Sequence, residues 1–359
     1  MQGKIAIIGD LHFGIKKADP SFLEYQKAYF ENEFFPLIEE RGIKTIIQTG
    51  DILDSRTHID FLVARFLNAY FFEQIQKRNL RFYSVLGNHD IYYRQSTRLS
   101  GVDEMAYMHS RIMIVDRLFS QKVGNCQIDM VPWICNENVD SITDQMNESF
   151  QLHAGYKLCI GHFELENFEM QKGITCSKST FDIDLLKKYD KVVSGHFHTP
   201  SEQGNITYIG SPYQLTWNDV NDAKKIIIFD PDKIEYEEIP TKSKRYFIFD
   251  FNALREKTFD FDQCRHGYIK IVLADSNVSN AVIDKTLSKL EAKSEPKQVQ
   301  VLDQRDSENS QMVQEANLES VNTPYTAIQN TIKNSLLNDR IKKLSQDYVY
   351  KFCKELDAC

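Results

Sequence analysis

Five short motifs in fixed order gather the chain's metal-seeking side chains: Asp10-x-His12, Gly50-Asp51-x-x-Asp54, Gly87-Asn88-His89-Asp90, Gly161-His162 and Gly195-His196-x-His198. Each follows an apolar run that reads as a β-strand, so these side chains are expected together at one end of one sheet, where open α/β sheets place their chemistry. Cleaving a phosphodiester requires a nucleophile activated near neutral pH and positive charge to meet the oxygens of the transferring phosphoryl group. Two divalent cations about 3.5–4 Å apart supply both, and these Asp, Asn and His residues are the ligands such a pair needs.

The residues divide by role. Asp51 is the natural bridge between two ions, because a Gly-Asp at a strand end projects a short carboxylate into the cleft. Asp10 and His12, two apart at the end of the first strand, can both reach one ion. Asn88 offers a neutral oxygen, and His162, His196 and His198 offer imidazole nitrogens. A set dominated by histidine favours Mn, Fe, Zn or Co over Mg or Ca, which prefer oxygen-only shells. With only two charged ligands under two divalent ions, the centre stays positive and attracts phosphate. His89, beside Asn88, is assigned proton transfer to the leaving alkoxide, for which an imidazole titrating near neutrality is suited. Asp90 either orients that imidazole through a hydrogen bond or caps the following loop. Any one of these motifs alone is weak; the ordered set is not. His58, His109, His153 and His266 have no such context and read as structural or surface residues.

The elements that must position these groups are legible as apolar runs. Strands are expected near 4–8, 44–49, 80–86, 157–161 and 190–194, with helical spacing over Ser21–Arg41 and His58–Lys77 between the early ones. Further strands near 126–131, 206–210, 225–230 and 234–239 lack long intervening helices. The expected fold class is therefore α/β (α+β): a two-sheet sandwich flanked by helices, rather than a purely parallel sheet.

The character changes around Ile239-Pro240. Residues 1–240 are read as the catalytic domain and 241–302 as a small α+β domain, with strands over Lys244–Phe251 and Tyr268–Leu273 and a helix over Asn280–Leu290. Residues 303–325 lack aromatics until Tyr325 and read as a solvated linker. From 326 to 359 helical patterning resumes, with Ile341, Leu344, Tyr348, Phe352 and Leu356 on one face.

Bulk properties bound the class. No apolar stretch of the 359 residues approaches the roughly 18 needed to span a bilayer, and a strand beginning at Lys4 leaves no room for a signal peptide. Seven cysteines without a CxxC pair read as reduced thiols, so the expected location is the cytosol. The net charge of −8 argues against nucleic acid binding by bulk charge; a DNA contact must come from a local patch, bound cations or a partner.

Together the motifs resemble those of the calcineurin-like metallophosphoesterases. The longer texture of Val131-Pro-Trp-Ile134, Gly161-His-Phe-Glu-Leu165 and Tyr208-Ile-Gly-Ser-Pro-Tyr213 is similar to the SbcD-type DNA double-strand-break repair nucleases. In particular it resembles the recombination nuclease subunits of T-even-like phages, over about residues 1–240 and beyond that in layout only. The resemblance implies one manganese ion held by Asp10, His12, Asp51 and His198, and a second held by Asp51, Asn88, His162 and His196, with His89 catalytic. It also implies exonuclease action on double-stranded ends, endonuclease action on single strands, and homodimers formed through helices of the catalytic domain. The domain after the phosphoesterase would cap the site and grip DNA, and the C-terminal helices would bind the coiled coil of an SbcC-type ABC ATPase; the alternative for those helices is packing on their own domain. Many members carry a histidine where this chain has Asp54, which then either supports a metal ligand or is structural. Tyr92, Tyr93, Arg94 and Arg98 are equally readable as a DNA contact or as a solvated loop. The competing function is a calcineurin-like enzyme acting on a phosphate ester other than DNA, since one metal centre serves many substrates. A non-catalytic scaffold fits poorly, because every expected ligand is retained.

Overall fold

The computed structural model describes residues 3–305 apart from 153–154, 172–173, 177–178, 180 and 276. In chain order the strands are β1 (Ile5–Ile8), β2 (Thr45–Gln48), β3 (Arg81–Val85), β4 (Ile112–Val115), β5 (Phe119–Val123), β6 (Cys126–Val131), β7 (Tyr156–His162), a short pair β8 (Glu169–Gln171) and β9 (Ile174–Thr175), β10 (Lys191–Gly195), β11 (Ser201–Gln203), β12 (Ile206–Tyr208), β13 (Lys225–Asp230) and β14 (Glu235–Pro240). One six-stranded sheet has the order β14-β13-β1-β2-β3-β4, and a second has the order β11-β12-β10-β7-β6-β5. In the first, β1 to β4 run parallel and antiparallel pairing is confined to the β13 and β14 side; in the second, a parallel centre is edged on both sides by antiparallel strands.

Burial explains the composition of the central strands. Ile-Ala-Ile-Ile in β1 and Thr-Ile-Ile-Gln in β2 are buried at every position. A strand covered on both faces has no reason to alternate apolar with polar residues. On the inner face, Ile5, Ile7, Ile47, Val85 and Phe229 of the first sheet share one cluster with Ile128, Met130, Leu158, Ile160 and Val193 of the second. Each such side chain contributes about 1.5–3 kcal/mol when fully buried, so this shared layer holds the two sheets together.

The outer face of the first sheet is covered by two helical runs. The first comprises Pro20–Tyr29, Phe30–Phe34 and Phe35–Glu40; the second comprises Phe61–Phe66, Leu67–Phe72 and Glu73–Lys77. In each, the middle segment widens into π-type turns. Aromatic contacts lock them to each other and to the sheet: Phe30 and Phe71 have ring centroids 4.9 Å apart, and Phe71 meets Phe82 of β3 at 5.5 Å. The outer face of the second sheet carries the helices Val139–Leu152 and Ile183–Leu186, through Met146, Leu186 and their neighbours.

The two-sheet sandwich matches the sequence expectation, but the placement of the motifs on one sheet does not. β1, β2 and β3, which carry the first three motifs, lie in one sheet; β7 and β10, which carry the last two, lie in the other. Strand-end order along a chain says nothing about which sheet a strand joins, since that depends on long-range pairing. β4 and β5, and the helix Val139–Leu152, have no counterpart in the sequence expectation.

The described residues group into two compact units that part between Phe247 and Ile248. The parting lies beyond the change of character at Pro240 because the intervening segment is stitched to the first unit. Lys242 N–H donates to Glu33 (2.7 Å), Arg245 and Tyr246 N–H both donate to Gln214 Oε1 (2.8 and 2.9 Å), and the Tyr246 hydroxyl donates to the Leu215 carbonyl (2.9 Å). A three-stranded sheet has the spatial order β15 (Tyr246–Asp250), β16 (Tyr268–Leu273) and β17 (Gln298–Asp303); the later unit contains β16, β17 and the part of β15 from Ile248. Its helix Asn280–Ser294 connects the parallel pair β16 and β17, with Leu254, Ile269, Ile271 and Leu290 buried. The expected linker after 305 and the amphipathic face from Ile341 to Leu356 lie outside the described residues. Among the described residues no helix is long and apolar enough to cross a membrane.

Candidate metal centre

All five motifs leave the C-terminal ends of parallel strands at the same end of the sandwich. Asp10 and His12 follow β1, Asp51 follows β2, Asn88 follows β3, His162 ends β7, and His196 and His198 follow β10. The loops are tied to one another by backbone: Leu11 and His12 N–H both donate to the Asp51 carbonyl, at 2.9 and 3.0 Å. Three of the seven expected ligands hold left-handed backbone, His12 at φ 46°, Asp51 at 59° and His196 at 89°. Non-glycine residues in that region cost of order 1–3 kcal/mol each and collect where function demands the geometry. Two of the motif glycines are required by close approach. A Cβ at Gly50, whose φ is +103°, would collide with the His162 ring, and one at Gly87 would strike the Asp51 carboxylate.

The donor atoms fall into two groups that meet at Asp51. In one, His12 Nε2 and His198 Nε2 face each other at 2.9 Å. In the other, Asn88 Oδ1 lies 3.0 Å from both His162 Nε2 and His196 Nδ1. Asp51 Oδ2 stands between them, 3.6 Å from His12 Nε2 and 3.4 Å from His162 Nε2. Ligand atoms of Asp51, His162 and His196 all lie within 4.8 Å of one another. Nitrogens on one ion at about 2.0–2.1 Å and at right angles sit about 3 Å apart, so these spacings are those of two half-formed coordination shells sharing a carboxylate. Asp10, fully buried, is 3.5 Å from His162 Nδ1 and accepts from His196 N–H at 3.1 and 3.2 Å. The residues present fit a two-ion centre.

Second contacts aim the ligands. His162 Nδ1–H donates to the Thr49 carbonyl at 2.8 Å, which leaves Nε2 turned to Asn88 and Asp51. His198 is held through its backbone: Lys224 Nζ donates to its carbonyl at 2.7 Å, to Ser211 Oγ at 2.9 Å and to Asp219 Oδ1 at 2.6 Å. Lys224 and Asp219 are both buried. The ion pair lies in no strand-end motif and is not signalled by the sequence; Glu164, whose Oε1 is 3.7 Å from His196 Nε2, follows the Gly161-His162 motif, which assigns it no role.

The charges in this cleft are strongly interdependent. Burial alone would raise the Asp51 pKa, but the imidazoles of His162, His89 and His12 outweigh it and hold the carboxyl well below its ordinary range. Burial raises Asp10, against the pull of His162. For His162, burial is overcome by Asp51 and Asp10, and its pKa rises to about 9. His198 is driven well below the usual imidazole value by burial and by neighbouring His12. His12 is raised: burial opposes its charge, but Asp54, Asp51 and Asp10 outweigh burial. Burial also lowers His89, partly offset by Asp51.

His89 and Asp90 are arranged differently from the sequence expectation. The Asp90 carboxylate does not orient the His89 ring. It accepts backbone N–H bonds from Asp51 (2.8 Å), Gly87 (2.9 Å) and Leu53 (3.0 Å), which pins three motif-loop amides. Convergent amides satisfy a buried carboxylate better than the ring of the preceding residue, whose side chain diverges from it. Burial and the Asp51 charge push the Asp90 pKa up to about 7. The His89 ring is aimed by Asp54 instead, Nδ1–H donating to that carbonyl at 2.6 Å. The Asp54 carboxylate stands 3.5 Å from His12 Nδ1, so this residue supports both an expected ligand and the expected catalytic histidine. Three cavities open around His89, of about 720, 380 and 260 Å³.

The chain is similar to known proteins. The pattern of the calcineurin-like phosphoesterase family matches residues 3–229. The chain is 28% identical over 294 residues to exonuclease subunit 1 of Enterobacteria phage T4, covering 81% of each. Among solved structures, TT1561 of Thermus thermophilus matches 67% of this chain and 99% of its own at 14% identity, with a TM-score of 0.41. With the family pattern spanning the two-sheet core and every motif of the donor cluster, the chain belongs to the calcineurin-like phosphoesterases, metal-dependent hydrolases of phosphate esters.

Proposed function

We propose that this protein is a DNA nuclease, the phosphodiesterase subunit of a recombination and repair complex whose other subunit is an SbcC-type ABC ATPase. The observation that carries the hydrolytic part is the position of Asp51 between two groups of donor atoms. Support for DNA comes from the phage relative, an exonuclease subunit by name, aligned across 81% of both chains.

Asp10, His12, Asp51 and His198 would hold one divalent ion, and Asp51, Asn88, His162 and His196 the other; manganese suits this histidine-rich set. Bound there, the ions would supply a water of lowered pKa and positive charge for the phosphoryl oxygens. The chain's own residues do the rest. His89, whose Nδ1–H is fixed on the Asp54 carbonyl, presents Nε2 to the cavities and delivers a proton to the departing oxygen. Its lowered pKa makes the imidazolium a stronger acid, at the cost of a smaller protonated fraction at pH 7. Asp90 keeps the loops of Gly50-Asp51 and Gly87-Asn88 in register through its three amides. The later unit would add surface for gripping DNA, and the tail beyond residue 325 would dock on the ATPase coiled coil.

Manganese-dependent digestion of end-labelled linear duplex and single-stranded DNA, with and without the ATPase subunit, tests the assignment. Cleavage of both is expected. Hydrolysis confined to a small phosphate ester would replace the nuclease reading with that of a phosphoesterase acting elsewhere.

A further inference from the structure

Beside the donor cluster, a 380 Å³ cavity is lined by Asn88, His89 and His196 together with Arg56 and Arg94. Arg56 also lines the 720 Å³ cavity, again together with His89, and so stands where the two cavities adjoin. Among the described residues neither arginine has an ion-pair partner; Arg65, Arg81, Arg111, Arg117 and Arg255 also have none, but Arg56 and Arg94 alone among these line a cavity with His89, and Arg41, Arg78, Arg98 and Arg265 each pair with a glutamate. The difference is sharp within one loop: Arg98 meets Glu137 at 2.5 Å, while Arg94 faces the cavity. Glu164, the acid in this lining, stands 3.7 Å from the His196 ring.

The position of Arg94 is built. An antiparallel bridge between Ile91 and Ser100 closes the base of its loop, Tyr92 N–H donates to the Leu99 carbonyl at 2.9 Å, and Gln95 Oε1 accepts from Asn136 N–H at 3.1 Å. Tyr92 and Tyr93, exposed, flank it. Arg56 is half-buried, and burial together with the like charge of Arg94 disfavours its protonated form. Two cations held near each other in a shared hollow are relieved by an anion between them. Guanidinium forks match phosphate oxygens in geometry as well as charge.

We propose that Arg56 and Arg94 clamp the phosphate adjoining the scissile one, so that the enzyme reads consecutive phosphodiesters of a polynucleotide rather than a lone ester. This rests on the nuclease reading and names the feature of the substrate that the site selects. The scissile group lies over the donor cluster, His89 faces the departing oxygen, and the next phosphate along the strand enters the hollow between the arginines.

The test compares kcat/KM of the full chain on a short single-stranded oligonucleotide and on bis(4-nitrophenyl) phosphate, a diester with no neighbouring phosphate, both with manganese. Arg56→Ala and Arg94→Ala should each lower the oligonucleotide-to-small-diester ratio about tenfold, mainly through KM. Each should also make log(kcat/KM) on the oligonucleotide shallower against log[salt] by about one unit. Arg56→Lys, which keeps the charge and spares a half-buried position, should retain the salt slope. Parallel losses on both substrates, or an unchanged ratio and slope, would overturn the clamp. If the unaltered protein hydrolyses the small diester but leaves the oligonucleotide whole, the nuclease reading itself fails and the clamp with it.

Discussion

His12 Nε2 and His198 Nε2 lie 2.9 Å apart, one following β1 of the first sheet and the other following β10 of the second. Two imidazole nitrogens at this distance repel unless a proton or a cation lies between them. Their pKa values shift in opposite directions: against burial, Asp54, Asp51 and Asp10 raise His12, while burial and His12 lower His198. An ion held by both imidazoles would join the two sheets at the strand ends that carry the motifs. His198→Ala should therefore reduce bound manganese from two ions per chain to one, read by calorimetric titration or elemental analysis. Retention of two ions would exclude His198 as a ligand.

His89 is expected to act on the proton rather than on the metal. Its ring is aimed by the Asp54 carbonyl, and its backbone N–H is bound to Asp51 Oδ1 at 2.8 Å. His89→Ala keeps that backbone bond, so metal content should be unchanged. Turnover should fall by about 10²–10⁴-fold, the range for losing one general acid. Loss of metal along with activity would show that the ring is structural.

Metal binding should strengthen with pH. The His162 pKa is raised to about 9, chiefly because Asp51 and Asp10 outweigh burial, so an ion must displace a proton there at neutral pH. Affinity should rise as pH climbs towards about 9 and then level, followed through Trp133, whose ring centroid is 5.2 Å from that of His196. Stability of the metal-free protein should move the other way. A histidine raised from 6.5 contributes stability fully present below 6.5 and lost as pH rises to about 9. Thermal melts of metal-free and manganese-loaded protein across this window should diverge; parallel curves would contradict the shift.

Gly50→Ala places a methyl group against the His162 ring on a backbone at φ +103°. Loss of manganese binding is expected, together with destabilisation of about 1–3 kcal/mol from the left-handed backbone alone. Metal titration and denaturant unfolding check the two effects separately.

Lys224→Met removes the ammonium that fixes the His198 carbonyl and leaves buried Asp219 without its cation. Breaking a buried pair this way costs about 3–5 kcal/mol. Adding Asp219→Asn, which removes the charge but keeps an oxygen for the Leu215 and Thr216 N–H groups, should recover part of the stability, but not the manganese affinity, because His198 remains unheld. Full recovery of both would show that the ion pair does not position the histidine.

The donor residues, their order and the sandwich of strands and helices were legible in the sequence because each is a local property. An apolar run marks a fully covered strand, and Gly-Asp or Gly-His at its end marks a turn that exposes a ligand. Of the two roles open for Asp90, orienting the His89 ring failed because hydrogen-bond choice is not local: its carboxylate found three amides brought together from two loops. For Asp54 the sequence left support of a metal ligand open beside a structural role, and only the structure set its carboxylate against His12; the parts played by Glu164, Lys224 and Arg56 were not legible, since a single charged residue is indistinguishable from surface until its neighbours are known.

The sequence by itself determined which chemistry was available, seven candidate ligands and a histidine proposed as the acid, because side-chain type and strand-end placement are written residue by residue. Only the tertiary structure decided that two sheets share the centre, that Asp51 lies between the donor groups, and that two unneutralised arginines share a cavity with His89. These are distances between residues as much as 186 positions apart, set by the packing of one hydrophobic layer between the sheets and by no pattern along the chain.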